Sequence, residues 1–426
     1  MTGPLHFEPA AGTPLVWFSA VTRVGAALDP PGREGLTRHT AELARRGAGG
    51  MDRAALDAAI DQVGAAVQVE VDRDWLGLSG TCLERHLDRT LGLASSVLAD
   101  PILSQREHEV LLRETRHELD DVRDDDFSLA DRHFHRVCAP GHPYARTTLG
   151  TEPSLARIEL GPLADYHRSL WAPDHLIVGV AGPIAPARAE RVADSLRAAV
   201  GGRRGATPPP LDVPPFPTGR RLILVDKPKR TQCQIVMGHL APAYGSDDFV
   251  ALMPLETAFG GLFTSRLMQE IRVARGWSYG AGCRMVKGKV PHWFRMWLAP
   301  TADVAPEALA LTLSLYEQLA AGGLTRGEFD LAIRNLTGSL PFARATARQR
   351  MRLALRHELV GLPVDFPARL PALLAALSPE HVHAAAGRWL RPADLCIVMV
   401  ASADEMVPRL EQAGFAPAEV VAYDSY

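Results

Sequence analysis

Histidine, cysteine and carboxylate side chains are what this sequence offers for metal binding or proton transfer. Its densest groups are His133-Phe134-His135, with His142 close behind, and the acidic run Asp120-Asp121-Val122-Arg123-Asp124-Asp125-Asp126. Histidines two apart diverge on a helix and share a metal only on a strand or loop, so this group reads as surface. The acidic run has neither the ligand spacing nor the turn glycine of a calcium loop, and reads as the solvated end of a helix. Cys82, Cys138, Cys233, Cys283 and Cys396 are odd in number and widely scattered, with no CxxC pair. They are expected to be core thiols, since neither a disulfide framework nor a cysteine zinc site has this pattern.

The elements that would position a site must come from more than one domain. A chain of 426 residues exceeds the usual ~100 to 200 residues of a single domain, and 47% hydrophobic residues give each half enough for a core. A net charge of −3, from 46 basic and 49 acidic residues, provides no field for nucleic acid or an anionic membrane. The opening stretch MTGPLHFEPAAGTP has no basic segment followed by an apolar run, and nothing approaches ~18 consecutive apolar residues. The expectation is a cytoplasmic protein without membrane or nucleic-acid partners.

The sharpest boundary is residues 201–219, where six prolines and four glycines exclude a regular helix or a central strand. It reads as a fairly stiff extended linker between a domain over 1–200 and another over 220–426. The two sides repeat each other. Trp171-Ala-Pro173 followed by His175-Leu-Ile-Val-Gly-Val-Ala181 returns as Trp389-Leu-Arg-Pro392 followed by Leu395-Cys-Ile-Val-Met-Val-Ala401, a helix stopped by proline and then a buried strand. Leu103-Ser104-Gln-Arg-Glu returns as Leu324-Thr325-Arg-Gly-Glu, with Ser104 and Thr325 as N-caps of long helices. Leu56 to Gly64 returns as Leu267 to Gly276, each ending on a helix-stopping glycine. Strand-like runs at 14–24, 65–71, 221–226 and 234–239 alternate with helical ones. The fold class is therefore α+β, two homologous domains, each a sheet with helices on one face.

A duplicated chain of this kind resembles the short bacterial members of the pitrilysin/insulinase family of zinc peptidases, which also includes the mitochondrial processing peptidase. The most specific segment is Phe259-Gly260-Gly261-Leu-Phe-Thr-Ser265-Arg266-Leu267-Met-Gln-Glu270-Ile-Arg272-Val-Ala-Arg-Gly276-Trp-Ser-Tyr279, similar to the family's second-half signature. Gly141-His-Pro-Tyr144 and Leu149-Gly-Thr151 resemble its first-half loop. The resemblance covers nearly the whole chain and implies a clamshell of two domains.

Active members carry HxxEH on a first-half helix and a glutamate ligand well downstream. Two histidines one turn apart share a face, the glutamate between them activates the zinc-bound water, and the distant carboxylate completes an open site. The corresponding stretch here is Gly35-Leu-Thr-Arg38-His39-Thr-Ala41-Glu42-Leu43, with Gly47 beyond. Alignment puts Arg38 and Glu42 at the histidine positions and Ala41 at the general-base position. A guanidinium cannot ligate zinc and a methyl group cannot activate water. His39 is out of register and on another face, while Glu114 keeps the downstream glutamate. Arg38 and Glu114 are the expected ion pair where a metal would otherwise sit.

The resemblance also implies a role for the second half. Arg272 and Tyr279, seven residues apart, match a pair that points into the reaction chamber in active members. A guanidinium and a phenol placed in advance stabilise the oxyanion formed on a peptide carbonyl better than mobile water does. The expectation is a chain that holds no metal and is not catalytic alone. It would be the substrate-binding subunit of a heterodimeric zinc metalloendopeptidase, with zinc on a homologous HxxEH partner and an extended peptide as substrate. The run Ala65–Val71 is a candidate edge strand for that peptide. The alternative is a proteolytically inactive structural or peptide-binding protein of the same fold.

Overall fold

The computed structural model describes residues 3–206, 211–417 and 419–425. Residues 207–210 of the proline-rich segment lie outside the described residues. In the first half the strands are β1 (Leu5–Pro9), β2 (Leu15–Thr22), β3 (Gly47–Ala48), β4 (Met51–Asp52), β5 (Ala66–Val71), β6 (Leu76–Leu83) and β7 (Ile177–Gly182). In the second they are β8 (Arg221–Asp226), β9 (Gln234–Ala241), β10 (Ser278–Met285), β11 (His292–Pro300), β12 (Cys396–Ala401) and β13 (Glu419–Ala422). The expected strand runs thus fall on β2, β5, β8 and β9. The first helices are α1 (Leu36–Ala44), α2 (Arg53–Asp61), α3 (Leu87–Ala99), α4 (Gln105–Asp124) and α5 (Asp126–Cys138).

The duplication is visible in the sheets. One has the order β1-β7-β2-β6-β5, the other β8-β12-β9-β11-β10 with β13 added beside β8. Pairing sense agrees strand by strand: β1 runs parallel to β7 as β8 does to β12, and every other step between equivalent strands is antiparallel. The repeated words have repeated jobs. The hydroxyls of Ser104 and Thr325 each accept from the backbone three residues on, at 3.3 Å from Glu107 N and 3.3 Å from Glu328 N. Gly64 and Gly276 both sit in the left-handed region, φ 57° and 66°, where a side chain would be strained. The chain is a duplicated α+β protein.

Two compact units form, and each borrows a helix from the other half of the sequence. One contains the chain up to Leu119, the stretch from Arg146 into the proline-rich segment, and Pro341–Val364. The other contains Asp120–Ala145, Leu211–Leu340 and the chain from Asp365 onward. In the first unit, Val178 and Val180 of β7 join the core containing Leu196, while Ile177 and Ala181 face Met351 and Leu355 of the helix Ala347–Val360. Gly179 makes this approach possible, because a Cβ there would stand 2.7 Å from a Leu355 methyl. In the second unit, α5 lays Leu129, Ala130, Phe134 and Cys138 against Val236, Val398 and Val400. Residues from the opposite face of these strands, Ile235, Met237, Ile397 and Met399, are buried as well. Helices on one face only was therefore the wrong expectation: the central strands are covered on both, which suits their nearly continuous apolar sequences.

The histidine group is buried, contrary to its reading as surface. His142 accepts from Tyr144 N at 3.1 Å and reaches Asp212 O at 3.2 Å, and His135 accepts from the Trp293 indole at 2.7 Å. Both belong to the packing between α5, the loop after it and β11. The acidic run is a helix end, with α4 stopping at Asp124, and Asp125 then caps α5 by accepting from Ser128 N at 2.7 Å. All five cysteines are buried free thiols.

Candidate functional site

The stretch that the sequence reading aligns with a zinc motif lies on α1, in the first unit. Asp29 builds the start of this helix: its carboxylate accepts from Gly35 N and Thr37 N, both at 2.8 Å, and from the Thr37 hydroxyl at 2.6 Å. Burial pushes the Asp29 carboxyl up to about 6 against these hydrogen bonds. Gly35 has φ 91°, and a Cβ there would meet the Leu149 carbonyl oxygen at 2.8 Å. The residue types at this turn are thus fixed by backbone geometry.

Along α1, Arg38 holds Glu42 one turn on, Nε to Oε1 2.7 Å, and reaches Glu118 of α4, Nη2 to Oε2 2.8 Å. Burial raises the Glu42 carboxyl, with the Arg38 charge opposing. Ala41 between them is fully packed. His39, on another face, has its Nε2 2.8 Å from Nδ1 of His108 on α4. Burial, and then the neighbouring His108 and Arg46, push it down to about 3.

Glu114 does not pair with Arg38. It is bonded by Arg46 and approached by Arg53 at 3.7 Å, and both arginines also contact Glu107, at 3.5 and 3.2 Å. The correction has a simple cause. Glu118 lies one turn beyond Glu114 on α4 and takes Arg38, and Arg46, just past the end of α1, takes Glu114. Sequence reasoning missed Arg46, Arg53, Glu107 and Glu118; helical spacing around Glu114 marks Glu107 and Glu118, whereas the two arginines come from other elements. No group of three or more histidine, cysteine, aspartate or glutamate side chains that could hold a metal occurs among the described residues. A permanently protonated guanidinium, a methyl group and carboxylates already in ion pairs do not fit zinc.

Arg272 and Tyr279 are brought together in the second unit. The α-helix Asp247–Glu256 passes into a π-helical turn, Thr257–Gly261, and a second π-helical segment, Met268–Val273, carries Arg272. Widened turns of this kind are frequent at functional sites. The glycine word has a packing reason: any Cβ on Gly260 would collide with the Cys283 backbone nitrogen of β10. Arg266 is structural, gripping Glu328 through Nε at 2.5 Å and Nη2 at 2.7 Å, while Glu328 completes the N-terminal box of the next helix.

β10 is an edge strand, and two of its outward N–H groups are already occupied. Ala281 N donates to Met268 Sδ at 3.4 Å, and Glu256, raised by burial to about 7, accepts from Met285 N. Its register against β11 slips between Ser278 and Ala281. Such a bulge redirects side chains, and Tyr279 emerges from it 86% exposed. The Arg272 Cζ lies 4.5 Å from the Tyr279 ring centre and 4.9 Å from that of Phe263, a contact the sequence did not reveal. Among the described residues this guanidinium makes no ion pair or hydrogen bond. The arrangement is an unpaired cation and a free phenol held side by side on a rigid support, suited to an oxygen-rich polar ligand such as a peptide backbone. The candidate peptide strand β5 is also a sheet edge, though its Val67 carbonyl accepts from Arg45 Nε at 2.7 Å.

Fold and donor set together define a class: a duplicated sheet-and-helix chain with ion pairs, and no metal ligand set, along α1 and α4 among the described residues. Comparisons with known proteins point the same way. Residues 157–336 match the Peptidase M16 inactive domain. The chain is 28% identical over 295 residues to an uncharacterized zinc protease of Mycobacterium tuberculosis, covering 66% of this chain and 65% of that protein, so it spans just under two thirds of that relative's length. It is 22% identical over 384 residues to the non-peptidase homolog YmxG of Helicobacter pylori, covering 89% and 87%. The crystal structure of a peptidase M16 inactive domain from Pseudomonas fluorescens superposes with a TM-score of 0.87 at 21% identity, covering 93% of this chain and 95% of that one. Over residues 157–336 the chain is similar to the inactive domain of the M16 peptidases, the pitrilysin/insulinase type, and its fold is that of their solved structures.

Proposed function

We propose that this chain is the non-catalytic, substrate-binding subunit of a heterodimeric zinc metalloendopeptidase acting on extended peptides, with the zinc on a homologous HxxEH-bearing partner. The observation that carries the reading is the state of Arg272 and Tyr279. An exposed phenol beside an unpaired guanidinium contributes little to folding, yet two π-helical segments and a strand bulge hold it in place. The partner's zinc site would supply the activated water. Arg272 would orient the peptide by bonding its carbonyl oxygens, and the Tyr279 hydroxyl would donate to the oxygen that gains charge. Removal of one such donor typically costs about 2.7 to 4 kcal/mol in the transition state.

No helix among the described residues is long and apolar enough to cross a membrane; a cytoplasmic setting belongs to the proposal. A second reading, an inactive structural or peptide-binding protein, is favoured by the H. pylori relative, which is named a non-peptidase homolog. Expression of the chain alone and together with an HxxEH homologue from the same genome separates the two. The measurements are co-purification, bound zinc and cleavage of a quenched peptide library. The proposal expects zinc and cleavage only in the pair. A chain that binds zinc and cleaves alone, or that forms no pair, would defeat it.

A further inference from the structure

We infer that Phe263 is a positioning residue for Arg272, closing a cluster Phe263–Arg272–Tyr279 that restricts the guanidinium and leaves its N–H groups for a peptide oxygen. The inference deepens the proposed function and rests on it for the identity of the ligand. The guanidinium carbon lies 4.9 Å from the Phe263 ring centre and 4.5 Å from that of Tyr279, so it contacts both rings at once. A guanidinium held against two aromatic rings has fewer orientations open to it than one held against a single ring, and its unpaired N–H groups remain available to a ligand.

Phe263 is itself held. Its carbonyl accepts from the Gln269 side chain at 3.0 Å, and Gln269 lies on the same π-helical segment as Arg272. The turn is closed by Ser265 N donating to Leu262 O at 3.1 Å, and Gln269 N donates back to Ser265 O at 2.9 Å. The loop and the arginine therefore move as one piece. Despite this anchoring the Phe263 ring is 60% exposed, so core packing does not explain its place. Its contact with Arg272 does. Leucine would keep the bulk and lose the aromatic face, and tyrosine would keep both.

The test compares Phe263→Leu and Phe263→Tyr in the full chain. Each is read by 15N relaxation of the Arg272 Nε–H group in the chain alone, and by turnover of a quenched peptide once paired with the HxxEH homologue. Phe263→Leu is expected to raise the mobility of the Arg272 side chain and to lower kcat roughly threefold to tenfold. Phe263→Tyr should restore both. An Arg272 signal unchanged by Phe263→Leu, with the variant folded, overturns the positioning role. A mobilised Arg272 with unchanged turnover keeps the cluster and overturns instead the proposed contact of Arg272 with the peptide.

Discussion

The Arg272 guanidinium carbon lies 4.5 Å from the centre of the Tyr279 ring, and Tyr279 has hardly any other cover at 86% exposed. Surface groups of this kind usually change stability by no more than about 0.5 kcal/mol when replaced. Tyr279→Phe and Arg272→Ala should therefore leave the thermal midpoint within about 2 °C of the parent chain. A large drop in the calorimetric midpoint would give the pair a packing role and remove the main reason for assigning it to a ligand.

The ion pairs on α1 and α4 predict how this chain responds to having its metal positions refilled. The double variant Arg38→His/Glu42→His supplies two imidazoles one turn apart, but Glu114 stays engaged by Arg46 and Arg53. Zinc binding by the double variant should be weak in competition with a chromophoric chelator. Adding Arg46→Met, which removes the cation bonded to Glu114 and leaves only Arg53 at 3.7 Å, should tighten it at least about tenfold, since a third ligand is what an open zinc site requires. Equal affinity with and without Arg46 would contradict the account of what closes this site.

Acid should destabilise the protein, and the sign follows from which groups shift. His39 and His167 are lowered to about 3, and His133 and His239 to about 4, in each case mainly by burial. Each takes up its proton near ~6.5 once unfolded. Their contribution is complete above that pH and is lost as pH falls. Asp29 and Glu256, raised to about 6 and about 7, act in the opposite sense, because the folded chain keeps protons the unfolded chain has released. Four groups against two leave an uptake of about two protons on unfolding near pH 5.5, a loss of roughly 2 to 3 kcal/mol per pH unit. Urea midpoints measured from pH 7.5 down to 5 should fall steadily below about 6.5. A flat or rising midpoint would mean that these histidines are charged in the fold.

Local chemistry made part of this architecture readable in advance. Ser104 and Thr325 cap their helices, and Gly64 and Gly276 take left-handed backbone, because such roles depend on a few neighbouring residues. β8 coincides with the apolar run at 221–226 for the same reason. The exchange of helices between halves was not readable. Whether Phe134 meets Gly238, or Leu355 meets Gly179, is decided by partners more than 100 residues away that no short pattern encodes. The buried histidines escaped because helical divergence argues against a shared metal and says nothing about burial. Arg46 escaped for a related reason: which arginine reaches Glu114 depends on the register between α1 and α4. The sequence singled out Arg272 and Tyr279 through a motif, and the two side chains do meet, whereas Phe263, added by packing, carried no such signal.

The most direct test of the central claim is the turnover of the reconstituted pair when only this chain is altered. With Tyr279→Phe, the loss of one hydroxyl should lower kcat by about 100-fold or more while the mass of the pair and its zinc content stay the same. Unchanged turnover in an intact, zinc-loaded pair would contradict the claim that this chain completes the active site of its partner.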